Sequence, residues 1–181
     1  MTPSTFLKSA ALGAALAIGA GNAAALDTPF YQCINTKEVT FDGTIVDAAV
    51  ATPELSTLVT AVTVAGLVDA LASAENITVF APTDEAFGKV PAPVLDEILA
   101  SNDALTAVLT YHVTADPAWK ADPRRATSAA PTVISTLQGQ KLFLTSRGGL
   151  PMVNQSMADC QAVKTDNGYV WIIDSVLLPQ F

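Results

Sequence analysis

The sequence contains few of the residues on which common enzymatic sites depend. Its 181 residues include one histidine, His112, and two cysteines. A zinc site built from several histidines is therefore impossible within one chain. The sequence also has no Gly-x-Ser-x-Gly elbow, no glycine-rich phosphate loop and no dinucleotide-binding fingerprint. We predict a protein without enzymatic activity, with no catalytic residues, no metal and no cofactor.

Basic residues are scarce as well. The chain has 9 Lys and Arg against 17 Asp and Glu, which gives a formal net charge of −8. An acidic surface repels the phosphates of nucleic acids and anionic lipids. After the first 25 residues no apolar stretch is long enough to span a membrane. We therefore expect no nucleic-acid partner, no stable membrane insertion and a monomer.

The first 25 residues have the pattern of a secretory signal peptide. Lys8 precedes an apolar run over residues 10–20, and Ala23 to Ala25 form a small-residue cleavage pattern. Cleavage near Ala25 would leave eight basic and 17 acidic residues, a net charge of −9. We predict that the protein is secreted into the medium or the periplasm. An N-terminal anchor that is never cleaved is the competing interpretation.

The two cysteines, Cys33 and Cys160, are 127 residues apart. An even number of cysteines in an exported chain favours a disulfide within the chain. Closing such a long loop would stabilise the fold by about 4–5 kcal/mol in the chain-entropy model. Two free thiols, or a bridge to another chain, remain as alternatives.

The first half of the chain predicts short helices and the second half predicts strands. Thr44 and Thr52 are placed to cap the first two helices, and Pro53 would open the second. Further helices are predicted over residues 66–73, 84–89, 91–100 and 102–110. From Leu109 onward LTYHVT and the runs that follow have the composition of strands, and Asn167-Gly168 indicates a hairpin. Helices followed by a β meander predict an α+β domain.

Residues 77–87, ITVFAPTDEAF, predict a corner between a strand and a helix. The apolar run 77–81 is typical of a buried strand, and Pro82 ends it. Thr83 or Asp84 can cap the helix that follows. We interpret both residues as structural rather than as ligands.

The same stretch is the first of two blocks that resemble the fasciclin-type adhesion (FAS1) domain. The second block is NGYVWIIDSVLLP, from Asn167 to Pro179, and Tyr111-His112 lies between the two. The resemblance covers residues 43–179 and implies a small wedge-shaped β-sandwich flanked by a group of short helices. In layout the chain is similar to small secreted bacterial single-domain members such as the mycobacterial secreted antigens, in which the corresponding cysteines are bonded. We assign residues 1–25 to the signal peptide, 26–42 to an irregular N-terminal strap held by the disulfide, and 43–179 to the domain.

Two groups of residues are candidates for a binding site. The resemblance implies an adhesive role for Tyr111 and His112, with Leu109 and Val113 beside them. The competing interpretation places Tyr111 in the core and makes His112 a buried, hydrogen-bonded residue at the end of a strand.

The second group lies in residues 116–131, which we call the Trp119 loop. It contains Trp119 together with Lys120, Arg124 and Arg125, and Trp and Arg are favoured residues at interfaces. A surface loop whose Trp folds back on the protein is equally compatible with the sequence.

One residue departs from the family pattern, and three others have an interpretation that involves no function. Trp171 stands where many members have a histidine, which argues against any site that needs two histidines. We interpret Asp174 as a buried hydrogen-bonding residue within an apolar strand. Asn76 and Asn154 each begin an Asn-x-Ser/Thr sequence, and we interpret both as chance occurrences.

These observations together predict a non-enzymatic binding module that mediates adhesion to a cell surface, a matrix protein or a polysaccharide. One alternative is a structural or stress-related envelope protein without a defined ligand site. Another is an unrecognised hydrolase in which His112 pairs with a nearby Asp and Ser.

Overall fold

The structure is a computed structural model that describes residues 29–180. The predicted signal peptide over residues 1–25 and the beginning of the predicted strap lie outside the described residues. Within them no single helix has the length and apolar character needed to cross a membrane. The consecutive segments Ile45–Ala51 and Pro53–Val64 meet the length and composition criteria only as a pair, which is bent by 109°.

The helices are short, and all those described precede the strands of the second sheet, β4–β7. They are α1 Pro29–Ile34, α2 Ile45–Ala51, α3 Ser56–Val64, α4 Val68–Ser73, α5 Asp84–Gly88, α6 Ala92–Ala100, α7 Asn102–Tyr111 and α8 Ala118–Ala121, with 3-10 turns at Pro53–Leu55 and Pro123–Arg125. The strands are β1 Val39–Thr40, β2 Ile77–Pro82, β3 Val113–Thr114, β4 Thr132–Ser135, β5 Lys141–Arg147, β6 Leu150–Val153, β7 Ser156–Met157, β8 Val163–Lys164 and β9 Gly168–Ile173.

The strands form two sheets. The first has the order β1-β8-β9-β2-β3, and the second has the order β4-β5-β6-β7. Strand β2 pairs in parallel with β9 at its centre, whereas the second sheet is antiparallel throughout. The predicted α+β class is confirmed.

Strand β2 separates two hydrophobic cores, because successive side chains of a strand point to opposite faces. Val79 and Ala81 belong to a core shared with helices α2, α3 and α7. Phe80 belongs to a second core, which includes Trp171 and the inner face of the second sheet. Every residue of β2 is buried, which explains why its sequence is apolar except for Thr78 and does not alternate.

Most of the predicted caps are present. Thr44 forms a capping box with Asp47 at the start of α2, and Thr83 accepts a hydrogen bond from the backbone N–H of Ala86 in α5. The predicted cap at Thr52 is wrong. Its hydroxyl donates instead to the carbonyl of Ala48, 2.8 Å away, so it closes the preceding helix.

Asp84 holds α3 against α5. Its carboxylate accepts from the backbone N–H of Thr57 and from the hydroxyl of Ser56, each at 2.7 Å. The N–H of Thr57 is the main reason that the pKa of Asp84 is lowered. The carboxylate thus satisfies backbone donors at the start of a helix, where such groups lack a partner within the helix. The structural interpretation of Asp84 is confirmed.

Three expectations need correction. Leu109, Tyr111 and His112 are not in a strand: α7 continues to Tyr111, and His112 is its C-cap. The predicted strap is not irregular over its described part, because it contains helix α1 and strand β1, which pairs with β8. Asp174 accepts from the N–H of Met157 as expected, but its side chain is about half exposed and lies 3.8 Å from Lys89 Nζ.

The Cys33–Cys160 disulfide is present, and the predicted intrachain bridge is confirmed. It joins α1 to the segment before β8. The edge strand β1 is held beside it through the N–H of Val39, which donates to Ala162, and the N–H of Phe41, which donates to Lys164. The bridge and the strand together fasten the N-terminal part of the described chain to the first sheet.

Candidate functional site

The Tyr111-His112 pair lies inside the protein at the end of α7. The side chain of His112 is 2% exposed and fully hydrogen-bonded. Its Nδ1 lies 2.8 Å from the carbonyl oxygen of Val108, and its Nε2 accepts from the backbone N–H of Leu177 at 2.9 Å. A ring that accepts a hydrogen bond at Nε2 must carry its proton at Nδ1. The geometry therefore assigns the neutral tautomer that is protonated at Nδ1.

Burial keeps His112 neutral. The pKa is lowered to about 4, chiefly because burial penalises the charged ring, while the Val108 carbonyl opposes the shift. A general base in a hydrolase needs a ring nitrogen that can reach the substrate. Both nitrogens of His112 are bonded within the protein, which leaves neither for catalysis in this arrangement.

Tyr111 is buried, and its hydroxyl joins β5 to the turn that follows β6. The hydroxyl donates to the carbonyl of Lys141 at 3.1 Å and accepts from Nδ2 of Asn154 at 3.0 Å. Asn154 Oδ1 in turn accepts from the N–H of Phe143. Both polar atoms of the Asn154 side-chain amide are therefore hydrogen-bonded within the fold.

A surface cleft of about 610 Å³ adjoins this hydroxyl. We call it the Tyr111 cleft. Its lining combines amides, one lysine and two apolar side chains: Tyr111, Gln140, Lys141, Phe143, Asn154, Gln155, Leu178 and Gln180. Phe143 is 50% exposed, so it offers a partner more apolar surface than Tyr111 does.

The other two residues implied by the resemblance are also interior. Leu109 and Val113 are buried in the core beneath helices α2 and α3. A partner that binds near α7 would thus meet the lining of the Tyr111 cleft rather than the side chains of Leu109, His112 or Val113. The adhesive role of these residues stays a prediction, and the structure restricts how they could exert it.

Arg124 is engaged within the fold. Its guanidinium forms two hydrogen bonds to the carboxylate of Asp122, at 3.0 and 2.9 Å, and lies 4.8 Å from the ring centroid of Trp171. It also donates to the carbonyl of Thr36 at 2.7 Å. Its side chain is only 14% exposed. Arg124 therefore connects the Trp119 loop, the first sheet and the segment that follows Cys33.

Trp119 and Arg125 face solvent instead. Trp119 lies on α8 and is 67% exposed. Lys120 is paired with Asp116 at 3.0 Å, whereas Arg125 is exposed and forms no ion pair with another described residue. The structure thus separates the basic residues of the loop, because Arg124 packs on Trp171 and not on Trp119.

Phe143 is the exposed residue that the sequence interpretation missed. In β5, Leu142 and Leu144 are fully buried and Phe143 between them faces outward. Because side chains alternate between the faces of a strand, KLFLTS already contained this signal. Two leucines on the inner face place the aromatic residue on the outer one.

The arrangement offers no metal centre in the part of the chain that the structure describes. No group of three or more His, Cys, Asp or Glu side chains in residues 29–180 is arranged to hold an ion. Several polar side chains of the two candidate regions, those of Tyr111, Asn154, Lys120 and Arg124, form hydrogen bonds that support the fold. Trp119, Phe143 and Arg125 have exposed side chains in these regions.

Comparison with known protein families matches residues 53–179 to the model of the Fasciclin domain. The chain belongs to the fasciclin domain family. The match begins at the 3-10 turn before α3 and ends at the last residue of the second sequence block, so it includes Tyr111-His112 and the Trp119 loop. The resemblance drawn from the two blocks is confirmed.

Relatives of the chain come from cyanobacteria and mycobacteria. The uncharacterized protein sll1735 of Synechocystis is 37% identical over 134 residues, which is 74% of this chain and 96% of that protein. The immunogenic protein MPB70 of Mycobacterium bovis is 40% identical over 139 residues, 73% of this chain and 67% of that protein. The cell surface glycolipoprotein MPB83 of the same species is 38% identical over 140 residues, 75% of this chain and 60% of that protein.

A solved structure confirms the fold. The FAS1 domain pair of the insect cell adhesion molecule fasciclin I matches with a TM-score of 0.59 at 17% identity. The match covers 76% of this chain and 51% of the fasciclin I chain, so this chain spans about half the length of that domain pair. At this identity the likeness establishes the fold alone.

Proposed function

We propose that this protein is a secreted or periplasmic binding module, without enzymatic activity, that mediates adhesion to a cell surface, a matrix protein or a polysaccharide. The observation that carries the proposal is the exposure of Trp119 at 67%. A tryptophan held outward on a helix forgoes the burial that its large apolar ring would gain in a core. Exposed Trp and Arg side chains are the residues that most often dominate binding free energies at interfaces.

The family and the relatives support an extracellular place of action. One relative is named a cell surface glycolipoprotein, and the fasciclin I structure is that of a cell adhesion molecule. The predicted signal peptide over residues 1–25 and the Cys33–Cys160 bridge fit an oxidising compartment. A module that acts outside the cell needs an exposed contact surface more than a closed reaction site. The exposed Trp119 of the Trp119 loop supports such a contact surface.

A retention assay tests the proposal. Fluorescent beads coated with the purified, oxidised protein are washed over the matrix of the producing organism, other cell surfaces, and a panel of matrix proteins and glycans. Parallel beads carry Trp119→Ala, Phe143→Ala or the control Val64→Ala. Val64 is 65% exposed on α3 and does not line the Tyr111 cleft, so it controls for the removal of an exposed apolar side chain elsewhere on the protein.

We expect selective retention of the wild-type protein, reduced about tenfold or more by Trp119→Ala and unchanged by Val64→Ala. Loss of retention with Phe143→Ala alone would move the contact to the Tyr111 cleft and keep the adhesive function. No retention of the wild-type protein on any surface would contradict the proposal. That result would favour a structural envelope protein without a defined ligand site.

A further inference from the structure

The structure contains an apolar cavity that lies apart from the Trp119 loop. It has a volume of about 150 Å³ and lies between helices α2, α3 and α4 and the first sheet. Its floor is formed by β2, β3 and β9, through Val79, Ala81, Val113 and Val170. Among its lining residues Val50 and Thr63 are exposed, which places the opening between α2 and α3.

The walls of the cavity offer a ligand almost no hydrogen bonds, because the only side-chain acceptor left among the lining residues is the hydroxyl of Thr63 at the opening. The lining is aliphatic except for His112 and Thr63. Both ring nitrogens of His112 are bonded to Val108 and Leu177, and the hydroxyl of Thr63 donates to Val59. Across the described residues no buried side-chain nitrogen or oxygen lacks a partner. A polar ligand would lose its hydrogen bonds to water on entry without replacing them.

The charge around the cavity excludes anionic ligands. Residues 45–73, which form its helical walls, contain three acidic residues, Asp47, Glu54 and Asp69, and no lysine or arginine. A carboxylate at the opening would find no cation within these helices and would be repelled by their charge. The fatty-acid class of ligand is therefore disfavoured, although its hydrocarbon part would fit.

We propose that this cavity binds an uncharged hydrocarbon group, either a small free molecule or the chain end of a neutral lipid. Its volume suits this class, because a protein cavity of about 150 Å³ lined by aliphatic and aromatic side chains accommodates a molecule of the size of benzene. The helices α2–α4 then act as a receptor for apolar molecules, on a part of the domain separate from the Trp119 loop.

The test uses methyl-resolved NMR titrations of the purified protein at neutral pH. Toluene and 1-hexanol are the small uncharged probes, hexanoate is the anionic match of hexanol, and 1-dodecanol represents the chain of a neutral lipid. We expect saturable shifts of the methyl groups of Leu58, Val62 and Val170 with toluene and hexanol. Hexanoate should bind at least about tenfold more weakly, since it brings its charge to an acidic, apolar opening.

Two variants on one helix provide the matched control. Ala49 lines the cavity and Ala51 is exposed at the end of the same helix. Ala49→Leu puts an isobutyl group into the cavity and should weaken toluene binding about tenfold or more, whereas Ala51→Leu should leave it unchanged. If Ala49→Leu fails to fold, Val62→Ile fills part of the same space with a smaller change and should weaken binding in the same direction.

Each outcome decides the proposal. Saturable binding of toluene without dodecanol supports a small free molecule, and binding of both supports a neutral lipid chain that extends through the opening. The proposal is overturned if neither toluene nor dodecanol gives saturable shifts. It is also overturned if hexanoate binds as tightly as hexanol, or if the cavity-filling variants bind toluene as tightly as the wild type does.

Discussion

The Nε2 atom of His112 accepts the backbone N–H of Leu177 at 2.9 Å, while its Nδ1 lies 2.8 Å from the carbonyl of Val108. One neutral imidazole therefore joins the end of α7 to the C-terminal segment. Protonation would turn Nε2 into a donor that faces another donor. The side chain that a family resemblance presents as a contact residue is here a pH-dependent structural link.

We predict that the free energy of unfolding falls as the pH is lowered from 7 to 5. The folded pKa of His112 is about 4, below the ordinary 6.5 of the unfolded chain. The unfolded state therefore binds more protons than the folded state between these values, so stability rises with pH. The stabilisation that neutral His112 provides is fully present above pH 6.5 and is lost as the pH falls toward 4. Over pH 7 to 5 it amounts to about 2 kcal/mol, measurable by urea unfolding at each pH.

The His112→Gln variant is the control, because the chain has no other histidine. It should be about 2–4 kcal/mol less stable at pH 7, since a buried group loses well-aligned partners, and nearly independent of pH between 7 and 5. The lowered pKa values of Asp47, beside the Thr44 hydroxyl, and Asp84, beside the Thr57 N–H, stabilise the folded state at higher pH, and this contribution is lost only near and below their ordinary value of 3.8. A pH dependence in His112→Gln equal to that of the wild type would show that another group is responsible.

Local signals in the sequence were sufficient for the parts of the fold that form locally. The corner over residues 77–87 and the cap at Thr44 depend on neighbours within a few residues, and they were predicted correctly. The end of α7 was not. The residues from Leu109 to His112 form a short run whose periodicity cannot distinguish a helix from a strand. In the structure this run continues α7, and Leu109 packs in the core beneath α2 and α3.

The candidate site was harder to predict, because it depends on contacts between distant residues. From the sequence Arg124 was a candidate for binding a partner. In the structure its guanidinium is hydrogen-bonded to Asp122 and lies over the ring of Trp171. Asn167 was recognised as a turn residue, yet its side chain accepts the N–H of Ile45 and donates to the carbonyls of Leu71 and Ala74. No sequence pattern records partners that meet only after folding.

Gly168→Ala should destabilise the protein severely. A Cβ atom at this position would lie 1.9 Å from the backbone oxygen of Ile77, its partner in the parallel pairing of β2 with β9. Because both strands are central in the sheet, the clash cannot be relieved without separating them. We expect a loss of about 3 kcal/mol or more in the free energy of unfolding, measured with urea.

Gly88→Ala supplies the matched comparison. Nothing lies within 4 Å of a Cβ atom at Gly88, which sits in α5. That variant should be neutral or stabilised by up to about 1 kcal/mol, because alanine restricts the unfolded chain more than glycine does. Equal stability of the two variants would mean that β2 and β9 can move apart without cost.

Removal of the disulfide should act both globally and locally. The Cys33→Ser/Cys160→Ser protein should lose about 2–5 kcal/mol of stability, as expected for a bridge that closes a long loop. Without the bridge, β1 is held by its two-residue pairing with β8 and by a few contacts of the preceding residues, such as the hydrogen bond from Arg124 to the carbonyl of Thr36. The amides of Val39 and Phe41, which donate to Ala162 and Lys164, should then exchange with solvent much faster than the amides of β2. Unchanged protection at Val39 and Phe41 would show that β1 is held independently of the bridge.

Arg124→Lys should weaken the contact between the Trp119 loop and the first sheet. The guanidinium lies over Trp171 and forms two hydrogen bonds to Asp122 at the same time. A lysine ammonium cannot reproduce the planar stacking and the paired hydrogen bonds together. We expect the free energy of unfolding to fall by about 1–3 kcal/mol. Urea unfolding can be monitored by the fluorescence of Trp171 in a Trp119→Phe background, where Trp171 is the remaining tryptophan.

Arg125→Lys is the control for charge and position. Arg125 is exposed and forms no ion pair with another described residue, so the change should alter stability by less than about 0.5 kcal/mol. The two variants keep the same net charge and differ only in what the guanidinium touches. If they lose equal stability, the contact of Arg124 with Trp171 and Asp122 contributes nothing beyond its charge, and the loop is held by its apolar residues Ala121 and Ala126, which are fully buried.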